Sequence, residues 1–317
     1  MQTEGFATER SGDQRREEPI STSLRLPIGL LTGGNPPRNG TPPLPGSRLV
    51  RAEAALTSDF TAIIKNAPTA SQLLGADSPL VIERAEWRGR QIEVLYAPFE
   101  HVELTARIVI VGLTPGRQQA ESAINSFASA LRRGATAENA LREAKSQASF
   151  AGPMRRNLVR MLDLLGVASL VGIHSCDKLW EKGSGLAHFT SLVRHPVFVD
   201  GANWSGSPDP VRHPALRRWM ERWTGQELRS LEPTILVPLG SAAVQGLDHL
   251  AEAGVIDGKR ILRGLPHPSG ANSERIACFL GDKPAHLASA KTDGHALADA
   301  RERLRDQVAA LASRAQP

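Results

Sequence analysis

The clearest potential for chemistry lies in His267, which stands between two prolines in a loop of small residues at 264–272. An apolar run at 235–240 precedes this loop by about the length of one helix. A histidine fixed in this way suits a group that must stay still while it donates a hydrogen bond. The alternative is a stiff turn without a chemical role, since His-Pro also occurs at 195–196 and 213–214.

A second loop with chemical potential follows the apolar run 107–111, which ends in Gly-Leu-Thr-Pro-Gly at 112–116. A strand, a glycine-rich turn and a helix in this order are typical of α/β proteins, where ligands bind beyond the carboxyl ends of the strands. The turn lacks both the lysine of GxxxxGK[ST] and the spacing of GxGxxG, so a nucleotide phosphate loop is set aside. We expect the loops 191–203 and 267–272 at the same edge of the sheet.

Strand and helix patterns alternate along the chain, which predicts a parallel or mixed sheet with helices on both faces. Helical spacing is found at 48–74, 117–147, 157–165, 215–230, 241–250 and 288–312. Strand-like runs are found at 80–85, 91–96, 107–111, 188–194, 235–239 and 260–265. The first two of these runs flank a glycine turn and predict a hairpin.

Composition divides the chain into two regions. Residues 1–47 are rich in Pro, Gly, Ser, Thr and Arg, which predicts a mostly disordered arm. Residues 48–317 are expected to form a single α/β domain, since 41% of the chain is hydrophobic and can supply a full core. The segment 117–149 within this domain is predicted to be helical.

The net charge of +5 favours an anionic partner only weakly. Arginines recur in groups at 132–133, 155–160 and 217–222, which fit either phosphate contact or solvated helix faces. No apolar run is long enough to cross a bilayer, and the first residues do not resemble a signal peptide. Cys176 and Cys278 are far apart, so neither a disulfide framework nor a zinc or iron–sulfur site is indicated. These features predict a soluble, reduced, cytoplasmic protein without a membrane partner.

Five segments, taken in order, resemble the uracil-DNA glycosylase superfamily over about residues 95–285. Residues 109–116 are similar to the first motif of the family, and 150–162 to the segment whose phenylalanine stacks on the flipped base. Residues 189–194 are similar to the strand whose asparagine binds uracil. Residues 231–243 match a strand-Gly-x-x-Ala stretch of short bacterial members, and 265–269 the second catalytic motif.

The resemblance implies a three-layer αβα sandwich with a central, mainly parallel four-stranded sheet. It implies a monomer that acts on DNA, flips a base out and cleaves its N-glycosidic bond to leave an abasic site. The catalytic residues would be His267, as donor to the departing base, and Thr114. Base contacts would come from Leu113, Pro115, Gly116, Phe150 and Ser191, and DNA contacts from Arg117, Arg194, Ser269, Gly270 and Asn272. No cofactor is expected, because the cysteines that hold an iron–sulfur cluster in several bacterial members are missing. Compared with the family, the segment 117–149 is a longer helical insert, which is expected to bind DNA or to cover a pocket.

Two positions depart from the family pattern. Most active members carry Asp, Glu or Asn in the first motif, where this chain has Thr114, which could equally be a helix N-cap. Asp200 and Glu121 are possible alternative carboxylates. Ser191 replaces the uracil-binding asparagine, and a hydroxyl cannot supply the fixed donor and acceptor of an amide. The pocket is therefore expected to accept a modified pyrimidine other than uracil, as in anti-phage members of the superfamily; the alternatives are a conventional uracil repair enzyme and an inactive nucleic-acid-binding module.

Overall fold

The structure is a computed structural model, which describes residues 45–67, 69–149, 152–181, 183–231 and 235–315. Its strands are β1 (Val81–Trp87), β2 (Arg90–Leu95), β3 (Ile108–Gly112), β4 (Ala187–Ser191), β5 (Val197–Val199), β6 (Ala202–Asn203) and β7 (Ile235–Pro238). Its helices are α1 (Pro45–Asn66), α2 (Ala70–Leu73), α3 (Arg117–Arg132), α4 (Ala137–Ala148), α5 (Pro153–Leu164), α6 (Val167–Val171), α7 (Pro214–Trp219), α8 (Gln226–Arg229), α9 (Ser241–Glu252), α10 (Ser273–Leu280) and α11 (Gly294–Ala315).

A parallel sheet in the order β4-β3-β7 forms the centre of the domain. β3 and β7 are buried on both faces, as expected for continuous apolar runs between helical layers. Ile108 and Ile110 pack with residues of α5, α6, α10 and α11, whereas Val109 and Val111 pack with residues of the segment from α7 to α9. The predicted arrangement of helices, sheet and helices is confirmed.

The fourth strand of the predicted central sheet, at 260–265, reduces to a single bridge between Leu236 and Ile261. A 3₁₀ turn at Gly258–Arg260 precedes this bridge, and Gly264 follows it with φ of 121°. The backbone is therefore extended beside β7 for too short a distance to form a full ladder. Ile261 and Leu262 are nevertheless completely buried, so the segment still closes this side of the core.

A second, antiparallel sheet lies in the order β1-β2-β5-β6. The predicted hairpin is present as β1 and β2, joined at Arg88 and Gly89, which both have positive φ. The pairing of β2 with β5 was not predicted, since β5 and β6 are too short to give a sequence pattern. This pairing matters for the site because it brings Asn203 against the loop that follows β3.

The helical predictions hold with changes at their ends. The insert forms two helices, α3 and α4, and the first helical pattern divides into α1 and α2. The helix expected at 215–230 contains a π-helical turn at Met220–Gly225, and the last helix begins at Gly294 instead of 288. Residues 1–44 of the predicted arm lie outside the described residues. Among the described helices, none is long and apolar enough to cross a membrane.

Candidate active site at the carboxyl edge of the parallel sheet

A cavity of about 430 Å³ lies at the carboxyl edge of the parallel sheet. The loops after β3, β4 and β7 meet there with the loop at 267–272, so the three loops predicted for this edge do come together. The lining residues are Gly112, Leu113, Thr114, Gln119, Met154, Ser191, Trp204, Ser205, Leu239, Gly240, Ser241, Ala242, His267 and Asn272. The cavity therefore joins the two segments that the sequence indicated for chemistry.

His267 is half-buried in the wall of this cavity, and its own loop fixes its ring. Ser269 donates its backbone N–H to Nδ1 of His267 over 3.3 Å, which leaves Nε2 to carry the proton of the neutral ring. Burial lowers the pKa of His267 below its ordinary value, which favours the neutral ring at neutral pH. Asn157 of α5 holds the loop from behind by donating Nδ2 to the carbonyl of Pro268 over 2.9 Å.

Gly240 allows the loop after β7 to lie directly against the histidine. It has φ of 92°, and a Cβ at this position would stand 3.7 Å from both Cβ and Cδ2 of His267. A residue with a side chain would be strained by its backbone at this φ, and its Cβ would be in van der Waals contact with the ring. Glycine at 240 thus permits the positive φ of the turn and the close approach of the turn to His267.

Thr114 has a hydroxyl that already makes two hydrogen bonds with the protein. Its Oγ1 donates to the carbonyl of His195 over 3.0 Å and accepts from the backbone N–H of Val197, also over 3.0 Å. Only one lone pair is left for a water molecule. The N-cap interpretation of Thr114 is wrong, because α3 has Gly116 as its N-cap.

The turn that begins α3 is held by side chains that the sequence did not indicate. Gln119 accepts from the backbone N–H of Gly116 over 3.1 Å and donates to the carbonyl of Ala148 over 3.3 Å. Asn203 accepts from the backbone N–H of Arg117 over 3.0 Å. The spacing of Gln119 in the first turn of a helix could have indicated its role, whereas nothing in the local sequence connects Asn203 to this turn.

Ser191 ends β4 directly beside Gly112, with which it is in register. It is buried and lines both the 430 Å³ cavity and a smaller recess of about 20 Å³. Its carbonyl accepts from Oγ1 of Thr224 over 2.7 Å. Pro115 is buried in the wall of the smaller recess, while Leu113 and Thr114 line the larger cavity.

Two arginines expected to contact DNA have other partners in the structure, and for Arg194 the expectation is wrong because the side chain is buried. Arg194 is 1% exposed and forms an ion pair with Glu227 over 3.3 Å, where a phosphate could not reach it. Arg117 donates to the carbonyls of Leu74 and Gly201, and its guanidinium lies 4.5 Å from the ring centre of Phe198. Its guanidinium thus ties α3 to neighbouring segments of the protein.

The remaining predicted contacts belong to the loop of the histidine or lie outside the described residues. Ser269 accepts through Oγ from Nδ2 of Asn272 over 3.1 Å, and Asn272 lines the cavity. Gly270 is exposed. Asn272 is the N-cap of α10, but it makes no side-chain cap bond. Phe150, the expected stacking residue, is outside the described residues.

Within the described part of the chain, no carboxylate lines the 430 Å³ cavity. Asp200 forms an ion pair with Arg90 over 2.7 Å, and neither Asp200 nor Glu121 of α3 lines the cavity. The alternative carboxylate sources are therefore not at the site. No group of three or more His, Cys, Asp or Glu side chains among the described residues could hold a metal ion.

The arginine groups mostly serve the protein itself. Arg218 and Arg222 both pair with Glu83, over 3.1 Å each. Arg133 pairs with Glu143 over 2.7 Å, and Arg160 pairs with Asp282 over 2.8 Å. These contacts favour the interpretation as helix faces over that as a phosphate-binding surface.

A buried cluster of charges lies behind the site, around Glu227. This carboxylate is 1% exposed and contacts Lys145 over 3.5 Å, Arg194 over 3.3 Å and Nε2 of His188. Burial alone would raise the pKa of Glu227, but the neighbouring cations and the bond from His188 outweigh it and lower that pKa. Burial, together with the charge of Lys145, lowers the pKa of His188 to about 4. The sequence did not predict this cluster, because its members come from distant segments of the chain.

Comparison with known proteins agrees with the fold. The family model of the uracil DNA glycosylase superfamily matches residues 99–292. The chain therefore belongs to the uracil DNA glycosylase superfamily, and the resemblance seen in the sequence is confirmed. It is similar to the uncharacterized protein YoxB of Bacillus subtilis (strain 168), with 35% identity over 196 residues, which are 61% of this chain and 77% of the relative. No solved structure matches the chain significantly.

Proposed function

We propose that the protein is a monofunctional DNA glycosylase that takes a base out of the duplex, cleaves its N-glycosidic bond and leaves an abasic site. The observation that carries the proposal is the neutral ring of His267 in the wall of the cavity, with Nδ1 occupied by Ser269 and the proton on Nε2. A fixed neutral donor suits a leaving group that gains negative charge as its bond breaks. Membership of the superfamily supports the same reaction.

In this reaction the bond between the sugar and the base breaks, and its electron pair stays on the base. Positive charge develops on the sugar, and the oxygen of a water molecule then bonds to the anomeric carbon and releases a proton. His267 donates a hydrogen bond to the base as it becomes anionic, while the remaining lone pair of Thr114 orients the water. Because no described carboxylate lines the cavity, stabilisation of the leaving base contributes most of the catalysis.

The base is a modified pyrimidine other than uracil in this proposal. Ser191 ends β4 beside Gly112, and its hydroxyl is shorter than the amide that binds uracil in other members. The cavity of about 430 Å³ in front of it has room for a pyrimidine that carries a substituent. Defence against phage DNA with modified bases is the biological setting that such a substrate fits. Leu113, Pro115, Gly116 and Phe150 would complete the base contacts, and Ser269, Gly270 and Asn272 would contact the DNA.

The test uses duplex oligonucleotides that carry one altered base each. The protein is incubated with duplexes that carry uracil, mismatched thymine, substituted uracil or substituted cytosine. The substituents are hydroxymethyl and glucosylated groups on either base, and methyl on cytosine. Abasic sites are then cleaved with alkali. We expect cleavage at a substituted pyrimidine and a loss of cleavage in His267→Ala. Efficient cleavage at plain uracil alone would indicate a repair enzyme instead, and binding without any cleavage would indicate an inactive module.

A further inference from the structure

The recess of about 20 Å³ adjoins the larger cavity, in which the base is proposed to bind. It shares Ser191 and Gln119 with the larger cavity, and its wall also includes Lys145 and Thr190. A recess needs about 10–15 Å³ to hold one water molecule, so this one has room for a single small group. It is the natural place for one exocyclic atom of a base whose ring occupies the larger cavity.

One residue in the wall of the recess, Thr190, has a buried hydroxyl that makes no hydrogen bond with the described residues. Thr190 is 6% exposed, and within the described part of the chain its Oγ1 has no hydrogen-bond partner. Because β4 is the edge strand of the parallel sheet, a recess against this edge can contact residues from both faces of the strand. Buried hydroxyls nearly always have a hydrogen-bond partner. An unpaired hydroxyl beside the cavity proposed for the base therefore indicates a place for a ligand atom or a water molecule.

Lys145 supplies a second donor to the same recess. It is 4% exposed, donates to the carbonyl of His101 over 2.6 Å and contacts Glu227 over 3.5 Å. An ammonium group has three protons, and these two contacts use two of them. The third proton is available to an acceptor in the recess. An amino group in the same place would point its own protons at those of the ammonium group, which is unfavourable.

We propose that Lys145 and Thr190 determine specificity by binding the exocyclic oxygen at position 4 of the flipped base in this recess. The inference rests on the proposed function and narrows its substrate to pyrimidines with an oxo group at the inner edge. Substituted uracils are then preferred over the corresponding substituted cytosines, whose amino group is a donor. A substituent at another ring position extends into the larger cavity.

The test compares two duplexes with the same base opposite the target, one with 5-hydroxymethyluracil and the other with 5-hydroxymethylcytosine. These bases differ in the group at position 4 and in the proton on N3, so the effect of the variants on the ratio of their rates isolates the contribution of the recess. We expect the oxo base to be excised roughly 10- to 100-fold faster, the factor that a hydrogen bond to a charged group supplies. Thr190→Val keeps the shape of the side chain and removes the hydroxyl. In this variant the ratio between the two bases should fall several-fold, while the melting temperature stays equal or rises.

Two further variants make the result specific. Ser126→Ala removes another buried hydroxyl that has no partner among the described residues, and Ser126 does not line the recess, so this variant should leave the ratio unchanged. Lys145→Met should lower the ratio further, and its melting temperature shows whether loss of the contact with Glu227 affects folding.

The possible failures can be told apart. An absence of cleavage at every base would overturn the proposed glycosylase function and this inference with it. Cleavage with a ratio near one, or with a ratio that Thr190→Val does not change, would overturn this inference alone and would leave the recess as the site of a structural water.

Discussion

Ser269 donates its backbone N–H to Nδ1 of His267, so the loop that carries the histidine also determines which ring nitrogen bears the proton. The two residues are separated only by Pro268, which has no N–H of its own and whose carbonyl is held by Asn157. The ring is therefore prepared as a donor before any substrate binds. Burial adds to this preparation by lowering the pKa of His267.

We expect His267→Ala to lower the rate of base excision by roughly 10²–10³-fold, as the loss of a fixed donor to a developing anion does in other enzymes. His267→Gln keeps an N–H donor and should retain more of the rate than the alanine variant. Single-turnover excision measures both, with the melting temperature as the control for folding. Equal rates in wild type and His267→Ala would contradict the role of the histidine.

Thr114 offers a test that separates a structural from a chemical role. Thr114→Val leaves the carbonyl of His195 and the N–H of Val197 without their partner, which should cost about 1–3 kcal/mol in the free energy of unfolding. Thr114→Ser keeps the hydroxyl and should keep both stability and activity. Denaturant unfolding and excision rates are measured for both variants. A stable Thr114→Val protein with normal activity would contradict both roles.

Ser191 is where the choice of base can be altered. Ser191→Asn restores an amide at the end of β4, facing the recess and the larger cavity that Ser191 lines. We expect the rate on plain uracil to rise relative to that on a substituted pyrimidine, because an amide supplies both a donor and an acceptor. Ser191→Ala is the control, since it removes the hydroxyl without adding an amide. An unchanged ratio in Ser191→Asn would show that this position does not choose the base.

The sequence allowed the fold and the carboxyl-edge loops to be predicted because both depend on local patterns. The apolar run at 235–239 and the His-Pro loop could be recognised one segment at a time. The partners of the site could not, because they come from distant segments. Asn203 reaches the turn after β3 only through the pairing of β2 with β5, and Lys145 meets Glu227 across 82 positions of sequence.

The same reason explains why the partners of Arg194 and Arg117 were not predicted. A sequence shows that a guanidinium is present, but only the packing of the chain shows whether a carboxylate or a carbonyl already holds it. Arg194 is neutralised inside the protein by Glu227, and Arg117 is occupied by the carbonyl of Gly201 and by the ring of Phe198. Spacing and composition carry no information about such long-range partners.

Gly240 allows a test of the loop after β7 with a closely matched control. Gly240→Ala adds a methyl group beside the ring of His267 at a residue with φ of 92°. Gly134→Ala introduces alanine at a similar φ of 85° in the turn after α3, where nothing lies within 4 Å of the new atom. Both should lose about 1 kcal/mol or somewhat more in the free energy of unfolding. Only Gly240→Ala strains the loop that lies against His267, so only this variant should also lower the excision rate. Equal rates in the two variants would show that the position of this loop is unimportant for His267.

The stability of the protein should fall as the pH is lowered from about 7 to 4. Burial lowers the pKa of His101, His188, His195 and His267, and that of His188 reaches about 4. The unfolded chain takes up protons on these rings near pH 6.5, while the folded chain does so only at lower pH. The stabilisation is therefore complete above pH 6.5 and is lost as the pH falls towards 4, because the unfolded state then binds more protons. Denaturant unfolding at several pH values measures this slope; His188→Gln should make it shallower, and a stability that is constant over this range would show that these rings do not remain neutral in the fold.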